Sequence, residues 1–400
     1  MDKQKRIQVI SFQSLSANSG EGMARLGYYL SEQLHQRGLL NNFIVHSKGK
    51  FETPFPSKPV SIFSRYYLFL LNRLNKHLKI PSYKFRLLQE KLFDWFCQFR
   101  IQANTTHIFT TNAYLYRTFL KAKKSGITII LLPGTPEENY IYELVSEENK
   151  RLNITKVDAY TYRERIDFFN KSVRLIDTVI GSLPPAYTSY SKAGYHPRVV
   201  KMLGHMKPDF KPIQLTQKEI TETFTIGYLA HTVVLKGLQY LLEAWRILTN
   251  NANNKHMHLS IAGSIDETIK EYIDLHFKDL KQVTFTGPIK DAPAYMQSLD
   301  LFVVPSLIDG APVTALEAAH YAVPVIITDH SGSAELLSRN ESGCWVIPIR
   351  DAKAIADKIE WAYNHREETR QMGRNAKHNL DTYSMESFIT EIADYLEHKA

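Results

Sequence analysis

Two carboxylates, Asp309 and Glu317, stand eight positions apart in the segment PSLIDGAPVTALEAAHYAVPVI, residues 305–326. The apolar run at 299–306 is typical of a buried parallel strand, IDGAP of a turn, and VTALEAAHYA of a helix. In open α/β sheets, ligands bind beyond the carboxyl ends of the strands, where helix N-termini offer free N–H groups to phosphates. Carboxylates at that edge accept hydrogen bonds from hydroxyls. The segment therefore favours a phosphorylated, hydroxyl-rich ligand such as a sugar nucleotide, although a helix-capping Asp and a surface Glu would give the same spacing.

The elements that position this segment recur along a chain that is too long for one ordinary core. A length of 400 residues suggests two domains of about 200 residues each, and a linker of mixed polarity with two prolines lies at 204–217. Apolar runs in the first half predict strands at 6–12, 106–111, 127–133 and 176–182. The helix after the first strand is closed by Gly38. This alternation predicts an α/β protein with two doubly wound, Rossmann-like halves.

Two further segments stand in order around the carboxylates. The run FTIGYLAHTVVLKGLQYLLEAW, residues 224–245, contains Lys236 followed by a glycine, and VIITDHSGSAELL, residues 325–337, contains Gly332 and Glu335. Together the segments resemble the nucleotide-sugar half of the retaining glycosyltransferases of family 4. The matching positions around the carboxylates are Pro305, Ser306, Asp309, Gly310, Glu317, Ala318, Pro324 and Val325. Taken singly, Lys236 also fits a solvated loop lysine, and Gly332 a plain turn glycine.

The resemblance implies a GT-B fold, in which two Rossmann-like domains face each other across a cleft. Residues 1–205 would form the acceptor-binding domain, and 218–380 the nucleotide-sugar-binding domain. The helix at 381–400 would cross back to the first domain.

The resemblance also implies roles for individual residues. The candidate catalytic residues are Lys236, which would bind the donor diphosphate, Glu317, which would bind the ribose hydroxyls, and Asp309, which would hold hydroxyls of the donor sugar. Asp309 replaces the usual Glu and so reaches less far by one methylene. His231 replaces an Arg of the basic clamp, which would make that clamp weaker or pH-dependent. The remaining donor-side positions of this segment are Gly310, Ala311 and Pro312.

Two loops of the first half have counterparts in the same family. The loop SLSANSGEG contains Gly20 and Gly22 and resembles the glycine-containing first loop that approaches the donor phosphates, although a flexible β–α loop would look the same. The segment GTPEENYIYELVSEENK resembles an acceptor-side loop, with Gly134, Thr135 and Glu138 as its candidates. The alternative for this segment is the acidic first turn of a surface helix.

The implied reaction is transfer of a sugar from a nucleoside diphosphate to a glycan or lipid-linked acceptor, with retention, in bacterial cell-surface polysaccharide or glycolipid synthesis. The chain has no Asp-x-Asp, so a metal-chelating diphosphate site is unsupported, and we expect neither metal nor cofactor. Charge on the leaving diphosphate would fall to Lys236, His231 and helix N-terminal amides. Two alternatives stay open: a nucleotide-sugar epimerase on the same architecture, and a non-catalytic nucleotide-sugar-binding partner, which the departures at Asp309 and His231 would suit.

Charge is divided unevenly along the chain. Residues 1–215 carry 32 Lys/Arg and 16 Asp/Glu, net +16, whereas 216–400 carry 17 and 25, net −8. The first half is therefore expected to face something anionic. Within it, residues 61–100 hold eight Lys/Arg, two acids and ten aromatic residues, and predict two amphipathic helices broken at Pro81. This composition suits an anionic membrane surface, with the rings packed into a domain core as the alternative, and no nucleic-acid recognition motif accompanies the charge.

Cysteine usage and hydropathy predict the compartment. Cys97 and Cys344 lie far apart in the sequence, which fits a reducing environment without a disulfide framework. The opening run MDKQKRIQVISFQS lacks the apolar core and cleavage site of a signal peptide, and no run approaches 18 apolar residues. We expect a cytoplasmic protein, peripheral on the inner face of the cell membrane if residues 61–100 bind lipid.

Overall fold

The structure, a computed structural model, describes residues 5–15, 23–195, 197–211, 213, 222–250, 256–339 and 342–400. The chain divides into two compact units. The first consists of Met1–Tyr142, Val157–Pro208 and Ser384–Ala400, and the second of Glu143–Lys156 and Asp209–Tyr383.

The elements between the N-terminus and residue 201 alternate between strands and helices. The strands are β1 (Ile7–Ser11), β2 (Leu40–Val45), β3 (Ser57–Pro59), β4 (His107–Thr110), β5 (Thr128–Leu131), β6 (Thr178–Gly181) and β7 (Arg198–Lys201). The helices are α1 (Met23–Gln36), α2 (Ser64–Leu78), α3 (Ser82–Cys97), α4 (Tyr116–Lys124), α5 (Glu138–Arg151), α6 (Arg163–Val173) and α7 (Pro184–Lys192), and a 3-10 turn covers Gln98–Arg100. Within α5, the residues from Glu143 onward belong to the second unit.

The seven strands form one sheet in the order β3-β2-β1-β4-β5-β6-β7, and every neighbouring pair is parallel. Strands β1, β4, β5 and β6 confirm the four predicted apolar runs. Strands β3 and β7, at the two edges of the sheet, are partly exposed. Since an exposed edge strand needs no apolar run, the sequence does not reveal them.

Helix α1 shows how the pattern of leucines positions an element. Leu26, Leu30 and Leu34 recur every fourth residue and are fully buried, so they form one apolar stripe on the helix. Gly38 then takes a φ of +70°, a left-handed conformation that glycine adopts without steric cost. The predicted closure of this helix is confirmed.

The elements from residue 224 onward belong to the second unit, apart from the last helix. The strands are β8 (Phe224–Leu229), β9 (Met257–Ala262), β10 (Val283–Gly287), β11 (Leu301–Val304), β12 (Val325–Thr328) and β13 (Cys344–Ile347). The helices are α8 (Leu238–Thr249), α9 (Glu267–His276), α10 (Ala292–Ser298), α11 (Val313–His320), α12 (Ser333–Leu337), α13 (Ala352–Asn364), α14 (Arg366–Asp381) and α15 (Met385–His398), and Val234–Lys236 is a 3-10 turn. Helix α15 belongs to the first unit and packs against α1, where Gln33 Nε2 donates a hydrogen bond to Thr390 Oγ1 over 2.9 Å.

The second sheet has the order β10-β9-β8-β11-β12-β13, again with parallel neighbours. All four residues of β11 and all four of β12 are buried, as expected for strands covered on both faces. The strand, turn and helix predicted around residues 299–322 are confirmed by β11 and α11. Both units are therefore built on parallel α/β sheets, which is the predicted fold class.

Residues 61–100 form two helices, as predicted, and the break falls at Pro81, which precedes α3. The two helices bury different amounts of their apolar side chains. In α3, Leu87, Phe93 and Cys97 are buried in the core of the unit. In and just before α2, the large apolar side chains with at least 45% exposure are Ile62, Phe63, Tyr66, Phe69, Leu70, Leu74 and Leu78. Within the described residues, no helix has the length and apolar character needed to cross a membrane.

Candidate functional site

The strand order of the second sheet creates one position where a ligand site is expected. The chain runs from β8 outward to β9 and β10, then returns to the other side of β8 with β11, β12 and β13. In doubly wound sheets, ligands bind at this reversal, beyond the carboxyl ends of the two central strands. The loops that follow β8 and β11 carry Lys236 and Asp309, so the topology brings the two predicted residues to the same edge.

The Lys236 ammonium and the Asp309 carboxylate form an ion pair, with 2.5 Å between Nζ and Oδ2. The lysine side chain is 28% exposed and the aspartate side chain 13%. Charged hydrogen bonds of this kind are worth more than neutral ones. The pair places one cation and one anion beside each other at the reversal, where a phosphate and a hydroxyl would each find a partner.

Close packing holds the two loops together. Gly237, directly after Lys236, has a φ of +71°, and a Cβ at this position would lie 1.9 Å from the carbonyl oxygen of Pro305. The amide of Leu307 donates a hydrogen bond to the Leu235 carbonyl over 2.9 Å. A side chain at position 237 would force the loops apart, so the glycine is needed for the position of the lysine.

The loop that carries Asp309 is also tied to the next strand. The Asp309 amide donates to the His330 carbonyl over 3.0 Å, and the Gly332 amide donates to the Asp309 carbonyl over 2.9 Å. Thr328, the last residue of β12, donates its hydroxyl to the Ser306 carbonyl over 2.7 Å. The backbone of Asp309 is therefore fixed on both sides, which leaves the side chain as the part that can respond to a ligand.

Glu317 lies in the second turn of α11. Its side chain makes no hydrogen bond or ion pair with any residue that the structure describes, and partial burial raises the pKa of its carboxyl above the ordinary value. Gly310, Ala311 and Pro312 connect Asp309 to this helix, and the Pro312 carbonyl accepts a hydrogen bond from the Ala315 amide over 3.1 Å. A carboxylate without a protein partner retains its capacity to accept hydrogen bonds from a ligand.

His231 follows β8 and is well exposed. Its Nδ1 lies 2.7 Å from Ser264 Oγ, and its Nε2 lies 3.6 Å from Asp266 Oδ2. Asp266 also accepts a hydrogen bond from the Thr268 amide over 2.9 Å and so caps α9. The loop after β9 thus orients the imidazole through a hydroxyl and a carboxylate.

The acceptor-side candidates lie in the first unit, after β5. A Cβ on Gly134 would lie 2.9 Å from Met23 Cγ, and Thr135 Oγ1 donates to Glu138 Oε1 over 3.5 Å. The Glu138 carboxylate is buried and forms a 3.1 Å ion pair with Arg165. This pairing gives Glu138 a structural partner, while its contact with an acceptor stays a prediction. The other two donor-side candidates, Gly20 and Gly22, lie outside the described residues.

Some polar groups at this edge of the sheet are not predicted from the sequence. Tyr228 is buried near the end of β8, where its hydroxyl lies 3.2 Å from Thr232 Oγ1. Burial raises the pKa of the Tyr228 phenol, and the negative charge of Asp309 adds to the shift. Ser264 and Asp266 were missed as well. The available signal was Gly263 after β9, followed by Ser264 and, two residues later, by Asp266, because the carboxyl end of β9 lies at the same edge of the sheet.

This fold and this edge define the class of protein: a two-unit α/β protein of the GT-B type. Over 98% of the chain and 99% of the other chain, the structure superposes with a TM-score of 0.60 on that of Anabaena Alr3699/HepE in complex with UDP, at 13% sequence identity. The match covers both units, and at this identity it establishes the fold.

Residues 223–365, all within the second unit, match the sequence model of the family described as Glycosyl transferases group 1. The capsular polysaccharide biosynthesis glycosyltransferase CapM of Staphylococcus aureus is 26% identical over 176 residues, which are 44% of this chain and 46% of that protein. The N,N'-diacetylbacillosaminyl-diphospho-undecaprenol alpha-1,3-N-acetylgalactosaminyltransferase of Campylobacter jejuni is 26% identical over 195 residues, 46% and 50% of the two chains.

The chain thus spans half or less of the length of the curated relatives that it matches. The predicted GT-B fold is confirmed, residues 223–365 match the group 1 glycosyltransferases, and membership in family 4 stays a prediction.

Proposed function

We propose that the protein transfers a sugar from a nucleoside diphosphate to a glycan or lipid-linked acceptor in the synthesis of a bacterial cell-surface polysaccharide or glycolipid. The observation that carries the proposal is the Lys236–Asp309 pair, which lies at the strand-order reversal of the domain that matches the family. The printed names of the relatives, one in capsular polysaccharide biosynthesis and one acting on a diphospho-undecaprenol, support this class of product.

The pair suggests how the donor is bound. A diphosphate brings at least two negative charges to a site whose described cations include one ammonium, that of Lys236. Contact between this ammonium and a phosphate oxygen would weaken its attraction to Asp309, whose carboxylate could then accept hydrogen bonds from hydroxyls of the donor sugar. Glu317, which has no partner among the described residues, would accept the ribose hydroxyls.

Departure of the nucleoside diphosphate is the electrostatically demanding step. Preorganised hydrogen-bond donors and positive charges stabilise such a developing charge because they need no reorganisation when it forms. We propose that Lys236, the neighbouring imidazole of His231 and the N-terminal amides of α11 supply them without a metal ion. Transfer would proceed with retention of the anomeric configuration, and we assign no nucleophile.

The first experiment measures thermal stabilisation by UDP, GDP, ADP and their common sugar conjugates. A ligand at a hundredfold excess over its Kd stabilises the folded protein by about 2.7 kcal/mol. We expect one base to stabilise the protein, and Glu317→Ala to remove the shift. Glu368→Ala, which changes an exposed glutamate on α14 of the same unit, is the matched control and should leave the shift intact.

Product analysis then separates the remaining possibilities. A transferase releases its nucleotide faster when an acceptor is added, whereas an epimerase converts the donor sugar without one. A nucleotide that binds but whose sugar conjugate stays unchanged under both conditions would indicate a non-catalytic partner. The absence of a shift with every nucleotide would overturn the proposed donor site itself.

We also propose that α2 attaches the protein to the inner face of the cell membrane. The exposed apolar side chains in and just before this helix, such as Phe69 (64% exposed) and Phe63 (62% exposed), stand among basic residues, and amphipathic helices of this kind lie in the interface of anionic bilayers. The double variant Phe63→Ser/Phe69→Ser should lose flotation with vesicles that contain 30% phosphatidylglycerol. Retention of full flotation by this variant would overturn attachment through α2.

A further inference from the structure

A cavity that is remote in sequence from the Lys236 loop lies in the first unit. It has a volume of about 900 Å³ and is lined by side chains of α3, α4 and α6 and by Gln98. Every lining residue belongs to the first unit, so the cavity is not part of the candidate donor site. The functions proposed above leave it without a role.

The cavity is strongly cationic. Its lining includes five basic residues: Lys91, Arg117, Lys121, Lys124 and Lys171. None of them forms an ion pair with a carboxylate of the described residues. Lys121 donates to the Gln98 carbonyl over 2.9 Å, and Lys91 Nζ lies 5.9 Å from the ring centre of Phe168. Five like charges around one space repel one another unless an anion is present.

One carboxylate, that of Asp94, also lines the cavity and interacts with the charge of Arg117, so it can offset at most one of the five positive charges. Asp94 is almost fully buried, and its two carboxylate oxygens accept hydrogen bonds from the Arg117 and Thr118 amides over 2.8 and 2.9 Å. It therefore caps the N-terminus of α4, where a negative charge is stabilised by the helix dipole. Its carboxylate oxygens are engaged with backbone amides, and the lining keeps a net excess of positive charge.

Apolar and aromatic groups complete the lining and continue beyond it. Trp95 lines the cavity and is 44% exposed. Its ring lies 4.7 Å from that of Phe96 and 5.4 Å from that of Phe99. Phe96 in turn stacks on Tyr67 of α2, at 5.3 Å between ring centres. A row of rings thus connects the basic cavity to the helix with the exposed apolar side chains.

We propose that this cavity binds the phosphate of an anionic lipid headgroup, with the acyl chains lying against the exposed apolar side chains of α2 and Trp95. The positive charges of the basic side chains would attract the negatively charged phosphate. The row of aromatic rings connects the cavity to the apolar surface against which the acyl chains would pack. The proposal rests on the membrane attachment proposed above and is independent of the donor site. A soluble polyanion would be recognised by the same charges but would not need the apolar row.

The test compares two triple variants of equal charge change in the full-length protein. The cavity variant is Lys91→Ala/Lys124→Ala/Lys171→Ala. The control variant is Lys50→Ala/Lys192→Ala/Lys201→Ala, three lysines of the first unit that do not line the cavity. Binding is measured to vesicles of phosphatidylcholine with 30% phosphatidylglycerol, to pure phosphatidylcholine vesicles, and to monomeric dihexanoyl-phosphatidylglycerol.

The cavity variant should bind the anionic vesicles roughly 100-fold more weakly, about fivefold for each lysine, and the control variant should bind nearly as wild type does. Saturable binding of the monomeric lipid should be present in wild type and lost in the cavity variant. The monomeric lipid needs no membrane attachment, so Phe63→Ser/Phe69→Ser should still bind it through the headgroup, with a smaller loss than the cavity variant shows.

Three results would overturn the proposal. Equal losses in both triple variants would mean that only diffuse charge attracts the vesicles. Absence of monomer binding in wild type would remove the headgroup site, whatever the vesicles do. Inorganic phosphate or a soluble acidic polysaccharide that binds more tightly than the lipid, with a loss in the cavity variant, would reassign the cavity to a soluble anion. Donor binding should be unchanged in every case, so a failure here leaves the transferase proposal untouched.

Discussion

Acidification is expected to destabilise the packing of α2 within the first unit, because one buried histidine contacts this helix. His46 directly follows β2 and is 5% exposed. Its Nε2 lies 2.6 Å from the Tyr67 hydroxyl on α2, and its ring lies 5.1 Å from those of Phe12 and Phe93. Burial lowers the pKa of His46 from 6.5 to about 4, with the positive charge of Arg86 contributing and a backbone hydrogen bond to Phe12 opposing the shift.

The direction of the pH effect follows from these two pKa values. Between pH 6.5 and 4 the unfolded chain binds a proton at this position and the folded chain does not, so the free energy of unfolding falls as the pH falls. Each pKa unit corresponds to about 1.4 kcal/mol. The full effect is therefore about 3 kcal/mol, and the part expressed between pH 6.5 and pH 5 is about 1.5 kcal/mol. Above pH 6.5 the contribution is complete and constant.

Native-state hydrogen exchange of the β2 and α2 amides, corrected for intrinsic rates at each pH, reports the local opening that exposes His46. The difference in opening free energy between pH 6.5 and pH 5 should be about 1.5 kcal/mol larger in wild type than in His46→Gln, which removes the titrating group. His35→Gln, at an exposed position of α1, should behave as wild type. An equal pH dependence in wild type and His46→Gln would refute the reasoning.

Three further outcomes are expected. Asp309→Asn removes the carboxylate that competes with phosphate for the Lys236 ammonium. Calorimetry should therefore show up to about tenfold tighter binding of the nucleoside diphosphate, together with slower sugar transfer. Weaker binding would show that Asp309 and the phosphate do not compete for Lys236. Gly237→Ala should lower the urea midpoint far more than Gly38→Ala, because both have a positive φ but only at 237 would the new Cβ meet a backbone atom. Glu138→Gln should destabilise the protein by about 2 kcal/mol, since Arg165 keeps one other carboxylate partner, and a raised acceptor KM without destabilisation would instead favour the acceptor role.

Much of the fold could be predicted because buried parallel strands are continuous apolar runs. This holds for β1, β4 and β11, each buried along its whole length. It fails for β10, an edge strand whose central residues are exposed. The sequence also gives no sign that residues 143–156 belong with the second unit.

The reason for that last failure is a set of contacts between residues that lie far apart along the chain. Glu148 is fully buried and accepts hydrogen bonds from the Tyr240 hydroxyl over 2.8 Å and from Arg350 Nε over 3.1 Å. Locally, the segment is an acidic helix of ordinary composition. A buried glutamate whose partners lie 92 and 202 positions away cannot be recognised from its neighbours.

The candidate site was predictable to the same extent. Adjacent parallel strands end at one edge, so the convergence of Lys236 and Asp309 follows once the strand order is assumed. That the two pair with each other does not follow, because the family resemblance implies separate contacts for them. The partners of His231 could not be predicted either, because Ser264 and Asp266 stand on a different loop, more than 30 positions later.

The carboxyl of Glu317, which has no partner in the part of the chain that the structure describes, has a consequence for calorimetry. Its pKa is raised by burial alone, so the free protein holds a proton there up to a higher pH than an ordinary glutamate would. Hydroxyl groups that donate hydrogen bonds favour the ionised form, so a ligand that reaches Glu317 would expel that proton into the buffer. The observed heat of donor binding at mildly acidic pH would then depend on the ionisation enthalpy of the buffer. Titrations in two buffers would count the protons released and so reveal whether the ligand touches this residue.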